Sequence, residues 1–562
     1  MKPWRRLTGL TLAALLCVSL LGGCTGAGAA DGVSLSVCVG AAPVTLDPIY
    51  AEEISDQTIL EHLYENLMRL SVDVSGKATV TNGMAKNVTQ EANYDGSVTY
   101  TFKLRSAKWS DGRSVQAKDF VYAWRRLANP DSQSPYAELL SVVKGYDEAR
   151  ASGDMEQMQV SAKNDSTLVV VLSGNYDWFL REVCTSPATM PLRQDIVKQL
   201  KAAAEEKKIA AAQDEDAQPA RWWSDPTALV TNGPYRAEKY ESGALLETVA
   251  CERYYGTQAG PKELAFRFAD TADEAWQLYQ GKTVDAVWPL PQSRMEELAA
   301  DETWTGIPKL GTYSVLFNCD TVQDVTLRQA LSLAIDRNAL AETAGVGANG
   351  AEGLVPPGVP ESEKEDFRTA DSPLLDNDPA RYEENCAQAR ALLEQAGYDS
   401  GADLGALEYL YIEGDGNAKV AKALCQQWGT VLRVSVTPRG VTKQEFWAAL
   451  RGGTYSIAGA EVEAVGNDAE CFLMRWTSGN QDNVTGYANS AYDTLMSIIA
   501  GAEDGMARMG CLHDAEELLL TDYVLAPLYT DVTAWELRDT FTGACRDARG
   551  WFVFSGVVPR AS

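Results

Sequence analysis

SVTYTFKLRSAKWSDGRSVQAKDFVYAWRRLANP, residues 97–130, carries two hydrophobic periods in succession. Ser97 to Leu104 alternates with period two, the pattern of a strand with one face buried. Ser114 to Asp119 leads into Phe120, Val121, Trp124 and Leu127 at helical spacing, and Asn129-Pro130 stops that helix. A strand feeding a helix within one short stretch points to a mixed α/β class.

The same alternation extends in both directions. Strands are expected at Val33–Val39, Thr167–Leu172, Tyr235–Tyr240, Glu263–Phe268, Asp285–Trp288 and Tyr313–Asn318. Leu407–Ile412, Val434–Pro438, Leu525–Tyr529 and a final Trp551–Val557 are also read as extended. Helical spacing runs over Ser55–Leu70, Asp273–Gln280, Leu327–Leu340, Asp378–Ala396, Lys419–Trp428 and Ala507–Leu520. Gly397 suits a left-handed C-terminal cap. Lys198 to Gln218 is Ala/Glu/Lys-rich and reads as an exposed helix followed by an acidic loop.

At 562 residues the chain is too long for one ordinary core, so two or three lobes are expected. A hydrophobic share of 45% with 23% charged residues is that of a globular protein. The formal charge of -29 repels phosphate backbones and excludes nucleic acid as a partner. Two histidines, His62 and His513, lie far apart in sequence and argue against His-rich metal sites and Ser/His or Cys/His triads.

Lys2, Arg5 and Arg6 form a basic start, and Leu7–Leu21 is an apolar run too short to span a bilayer. It ends in Leu21-Gly22-Gly23-Cys24, which resembles a bacterial lipobox. Residues 1–23 are therefore read as a lipoprotein signal peptide, Cys24 as the lipidated residue and 24–32 as a tether. The expected location is the extracytoplasmic face of the cell membrane. Nine further cysteines follow with no CxxC, which gives no support to a zinc ribbon or thioredoxin-type site. Their disulfide state is left open, with buried inert thiols as the simplest reading.

Several segments carry a family resemblance. They are TLDPIYAEEISDQTILEHLYENLMRL (45–70), YTFKLRSAKWSDGRSVQAKDFVYAWRRLANP (100–130), VTNGPYRAEKY (230–240) and YQGKTVDAVWPLP (279–291). GTYSVLFN (311–318), LRQALSLAIDRNAL (327–340), GLVPPG (353–358) and ALLEQAGY (391–398) complete the set. In order and spacing the chain resembles the extracytoplasmic solute-binding proteins of peptide ABC transporters, the oligopeptide-binding family (solute-binding protein family 5).

The resemblance implies a periplasmic-binding-protein-like type II fold: two main lobes joined by a two-crossing hinge, plus a third inserted lobe. Lobe I would comprise 33–70, 190–305 and 525–562, lobe II 71–189, and lobe III 306–524. It further implies a monomeric, non-enzymatic receptor without cofactor or metal that closes over a peptide and hands it to a membrane permease driven by ATPase subunits.

A buried peptide brings an ammonium group that needs a carboxylate, and a backbone that strand-like pairing can hold. Counting forward from Ala458-Gly459 places Glu463 at the family's amine-gripping position. Counting back from Phe472-Leu473 lands nearer Val465, which leaves Asp468 as the competing candidate. The resemblance also carries over Glu52, Ile54, Tyr136, Ser314 and Tyr529 as ligand-binding positions, each tyrosine being equally readable as core packing. Asp336-Arg337 is expected to cap or tie a helix, and Trp109, Asp111 and Phe120 to build lobe II. Gly311 and Glu461 stand where some family members have a disulfide. Ala460 replaces the usual aromatic, so the same fold serving a dipeptide, cell-wall peptide, metal chelate or oligosaccharide is the alternative. A hydrolase with Glu461 and Glu463 as paired acids is the reading from another class.

Overall fold

The computed structural model describes residues 33–560 apart from 73–77, 212–220, 257–259, 302–303, 305, 363–364, 399–400, 405, 481 and 503–504. The signal segment, the tether and Cys24 lie outside the described residues. No helix among the described residues is long and apolar enough to cross a membrane.

Three sheets organise the chain. Strand β1 (Ser34–Val39) is followed by helix α1 (Ile54–Leu63). A four-stranded antiparallel sheet comes next: β2 (Ala85–Ala92), β3 (Val98–Leu104), β4 (Val160–Asn164) and β5 (Thr167–Leu172), in the order β2-β3-β5-β4. Helix α2 (Ala117–Ala128) links β3 to β4. The chain then joins β6 (Tyr235–Glu241), β7 (Leu245–Ala250), β8 (Glu263–Arg267) and β9 (Ala286–Trp288) to the sheet begun by β1. A second six-stranded sheet takes β10 (Ile307–Phe317), β11 (Asn349–Gly350), β12 (Ala406–Ile412), β13 (Ser435–Val441), β14 (Ile457–Glu463) and β15 (Leu525–Thr533). Helices α3 (Lys443–Arg451) and α4 (Gly505–Thr521) are two of the helices in this region. Strand β16 (Glu536–Leu537) returns to the first sheet, ordered β16-β9-β1-β8-β7-β6, while the second is β11-β15-β10-β14-β12-β13. This is the expected α/β architecture: two main lobes and one inserted body.

The opening stretch shows why its residues fold as they do. Val98, Tyr100, Phe102 and Leu104 point one way from β3 and are buried. Helix α2 starts with a capping box between Gln116 and Asp119. It buries Phe120, Ala123, Trp124 and Leu127 on one face. Asp119 also accepts the indole N–H of Trp109 at 3.1 Å, and Trp124 donates to the Thr189 carbonyl at 2.9 Å. These residues share one continuous apolar core with Leu35, Val37, Ile59 and Phe266 of the first sheet's lobe. The inserted body is thus welded to lobe I. The second sheet has separate cores on its two faces, one around Leu316 and Ala458, the other around Val315 and Ile457.

The two chain crossings run side by side, with Ile307 opposite Thr533 and Pro308 opposite Val532. Leu525–Thr533, expected with lobe I, pairs with β10 instead, so the return crossing lies between Thr533 and Glu536. Three other expectations need correcting. The helix drawn through Leu70 ends at Leu63, and Met68–Val72 pairs as a strand with Ala78–Asn82. Tertiary bonds win over periodicity there: the Glu65 amide donates to Asn232, and the Asn66 side chain donates to Ser186 and Thr189. The single helix over Leu327–Leu340 is two, Val325–Leu333 and Arg337–Ala344, because Asp336 caps the second by accepting from the Ala339 amide at 3.0 Å. The final strand is split into Phe552–Val553 and Val558–Pro559, since Phe552 and Phe554 donate their amides to Thr58 and His62 of α1.

Candidate ligand cleft

Strand β14 carries Glu461 and Glu463 two residues apart, hence on one face. Across the antiparallel ladder Tyr313 stands opposite Glu461 and Gly311 opposite Glu463. A Cβ at Gly311 would sit 2.8 Å from a Glu461 carboxylate oxygen and 3.2 Å from Glu463 Cγ, so the glycine makes room for both acids. On the other side of β10, Tyr529 pairs with Tyr313 and stacks on it at 5.2 Å. Lys309, on the same strand as Tyr313, binds Asp531 at 3.1 Å.

The other lobes face this wall. Lys443, the first residue of α3, reaches Glu52 just before α1 at 2.7 Å. The Tyr136 hydroxyl, from the inserted body, donates to the Ala51 carbonyl at 3.0 Å and accepts from Gln57 at 2.7 Å. Arg475 donates to the Glu463 carbonyl at 2.8 Å and stands 3.7 Å from Glu138 of the inserted body. Three lobes therefore meet around Glu463.

Electrostatics single out the two glutamates. Both side chains are exposed to solvent, yet enough protein lies around them to disfavour their charge. Burial, then the charge of Glu461, pushes Glu463 up to about 7, against the pull of Lys443, Lys309 and Arg475. Burial also raises Glu461, with Lys309 opposing and Asp531 adding to the rise. Five carboxylates, Glu52, Glu138, Glu461, Glu463 and Asp531, meet three cations, Lys309, Lys443 and Arg475. Such a recess favours a guest that brings positive charge.

A scan against family models matches residues 79–484 to "Bacterial extracellular solute-binding proteins, family 5 Middle". The chain belongs to that family. The probable deoxycholate-binding periplasmic protein YgiS of Escherichia coli (strain K12) is 28% identical over 495 residues, 87% of this chain and 86% of its own. The oligopeptide-binding protein OppA of Bacillus subtilis (strain 168) is 25% identical over 98% of both chains. Among solved structures, Haemophilus influenzae OppA complexed with RPPGFSPFR superposes with a TM-score of 0.72 at 25% identity, covering 94% of this chain and 99% of that one.

In this family member, Glu463, Glu52, Tyr136 and Tyr529 converge on the cleft wall just described. Ile54 is half-buried at the start of α1 and lies against Gly550. Ser314 is turned the other way: it is fully buried opposite Ala460 and donates to the Thr312 carbonyl. Tyr313, one residue earlier, occupies the face shared with Glu461. Asp468 is likewise drawn off. It caps a short helix, binds Arg508 at 2.6 Å and Arg181 at 3.3 Å, and is buried. Two guanidinium groups hold its carboxylate in a seam between the inserted body and the second lobe. Lys309, Tyr313, Lys443 and Asp531 went unnoticed in the sequence. The period-two pattern Lys309-Gly311-Tyr313 was the available signal for two of them. None of the nine cysteines among the described residues forms a disulfide, and seven of them are buried.

Proposed function

We propose that the protein is the lipid-anchored receptor of an ABC importer, which captures oligopeptides between its lobes and delivers them unaltered to a permease. Cys24 would carry the lipid on the extracytoplasmic face. The peptide ammonium pairs with Glu463, Glu461 supplies a second negative charge, and Tyr313 with Tyr529 offers an aromatic wall. The observation that carries this reading is a net-acidic recess at the meeting point of three lobes. Its support from outside the chain is a relative named for oligopeptide binding that matches over 98% of its length.

Calorimetric titration with alanine peptides and their N-acetylated forms tests it. The free amine should bind at least tenfold tighter, about 1.4 kcal/mol, and equal affinities would remove the amine contact. A deoxycholate-like amphipath, a sugar or a metal chelate found by native mass spectrometry of the purified protein would overturn the peptide claim in favour of the same fold with another solute.

A further inference from the structure

The inserted body shares one apolar core with lobe I, so a rotation of the second lobe about the hinge strands leaves those two together. Such a rotation cannot open the cleft without also parting the second lobe from the inserted body. Here the lobes meet: Lys443 reaches Glu52 across the cleft at 2.7 Å. Whatever holds the second lobe to the inserted body therefore helps to hold the cleft shut.

The contact between them is built like an interior. Trp178 of the inserted body has no exposed surface, and its indole N–H donates to the Glu470 carboxylate at 2.9 Å. Arg181 donates to the Asn467 carbonyl at 3.1 Å and to Asp468 at 3.3 Å. Arg508 holds Glu470 and Asp468 from within the second lobe, at 2.7 and 2.6 Å. Apolar contact continues across as well. Cys471 of the second lobe belongs to the core of lobe I and the inserted body, and Val465, Met474 and Ala500 pack against that core.

Two glycines show how closely the backbones approach. Gly174 follows β5, and a Cβ there would stand 2.3 Å from the carbonyl oxygen of Ala500 and 3.2 Å from its carbon. Ala500 lies in the helix Ser490–Gly501 of the second lobe, and its carbonyl accepts the Asn175 amide at 3.1 Å. On the facing side, a Cβ at Gly466 would stand 2.8 Å from Cβ and Cγ of Glu182 in the inserted body, with Cys471 Sγ of its own lobe at 3.2 Å. Neither glycine has left-handed backbone, so local conformation asks for no glycine at either place. At Gly174 the demand comes from the other lobe: beyond its chain neighbours, only Ala500 would lie closer than 3.4 Å to the added atom.

We propose that this seam is a latch: Gly174, Trp178 and Arg181 set guest affinity without touching the guest, by holding the second lobe against the inserted body. The inference rests on the reading of the protein as a receptor that closes over its guest, though not on that guest being a peptide. Parting the seam returns the Trp178 ring to water and strips Glu470 and Asp468 of donors from the inserted body. The latch thus favours closure before any guest arrives. Apparent affinity scales with the fraction of molecules able to close, so a change at the seam is felt at the distant guest.

The test uses the full-length protein and three variants. Gly174→Ala wedges the seam, Trp178→Phe keeps a ring but removes the N–H, and Gly501→Ala is the control, since a Cβ there meets nothing within 4 Å. Each is freed of guest by unfolding and refolding. Hydrogen exchange read by mass spectrometry then reports the latch with no guest present. Wild type should exchange slowly over 174–182 and 466–472, the Asn175 amide above all. Gly174→Ala should exchange at least about tenfold faster there, yet as wild type over Val98–Leu104, the mark of a folded inserted body. Calorimetry with tri-alanine should show affinity at least about tenfold weaker in Gly174→Ala, measurably weaker in Trp178→Phe and unchanged in Gly501→Ala. Fast exchange of the seam in guest-free wild type would overturn the latch whether or not Gly174→Ala folds. Protection retained in Gly174→Ala would overturn it too, as would wild-type affinity in a variant whose seam has lost protection, or an equal loss in Gly501→Ala. Should tri-alanine bind to none of the proteins, seam protection that Gly174→Ala loses sustains the latch while the peptide reading falls.

Discussion

Glu463 should release a proton when the guest binds. In the free cleft its carboxyl is pushed up to about 7 by burial and by Glu461, so near neutrality it is about half protonated. The groups facing it are Glu461 on its own strand, Lys309 on β10, Lys443 on α3, Arg475, and Tyr136 and Glu52 across the cleft. An ammonium beside it favours the charged form and pulls it back toward its ordinary 4.5. The full linkage would be about 3.4 kcal/mol at ~1.36 kcal/mol per unit. Water reaches the side chain and screens the interaction, so we take roughly a third, ~1 kcal/mol or about fivefold. The sign follows from the raised value in the free protein: affinity is full above about 7 and falls as the pH drops below it. Titration calorimetry in phosphate and in Tris, whose ionisation enthalpies differ, counts the protons released. Wild type should release about a third of a proton at pH 7 and bind more weakly at pH 5 than at pH 8. Glu463→Gln should bind about fivefold more weakly at pH 8 and lose most of the slope. Proton release that is absent in wild type, or unchanged in Glu463→Gln, would refute the reasoning.

Other outcomes follow from the same geometry. His62 is fully buried, donates from Nδ1 to Thr58 and accepts the Phe554 amide on Nε2, and its pKa is lowered to about 4 from 6.5. The unfolded chain takes up a proton between those values that the folded one refuses, so stability falls by up to ~3 kcal/mol from pH 7 to pH 4; urea unfolding of His62→Gln should be weaker at pH 7 but shallower in pH. Trp124→Ala should cost about 3–5 kcal/mol in the same assay, since the ring is fully buried and its N–H is bonded. Cys24→Ala should move the protein from the membrane pellet to the soluble fraction, and retention in the pellet would end the lipid-anchor proposal.

Which parts were legible in the sequence depends on how local their causes are. The β3–α2 block could be read because its strand period, its capping residues and its Asn-Pro stop lie within one stretch. The C-terminal tail could not, because Phe552 and Phe554 are fixed by Thr58 and His62, nearly five hundred residues away. The site divides the same way. Glu463 came from counting along a family pattern, whereas Lys443 enters the cleft only through a bond to Glu52 at a separation of 391 residues. Ser314 shows how sharp strand geometry is: one residue of offset moves a side chain from the Tyr529 face to the opposite core. Asp468 looked as good as Glu463 on charge alone. Only the arrival of Arg508 and Arg181 from other elements distinguishes a neutralised acid from a free one.

That distinction bears on how the lobes close. In the seam, Arg508, Arg181 and Arg549 bridge Asp468, Glu470, Glu182 and Asp547, each arginine touching two acids at 3.3 Å or less. These charges satisfy one another, and removing one partner from such a buried set costs roughly 3–5 kcal/mol. The cleft is different: its acids outnumber its lysines, and bringing Glu52 toward Glu461, Glu463 and Asp531 concentrates like charge. On the proposed reading the two regions act oppositely. The seam favours the closed form with or without a guest. In the cleft the Lys443–Glu52 pair offsets part of that repulsion, and a cation from the guest offsets the acids left over. A guest then shifts the population by the difference in its affinity for the two forms, and a guest lacking the ammonium leaves the cleft's repulsion in place.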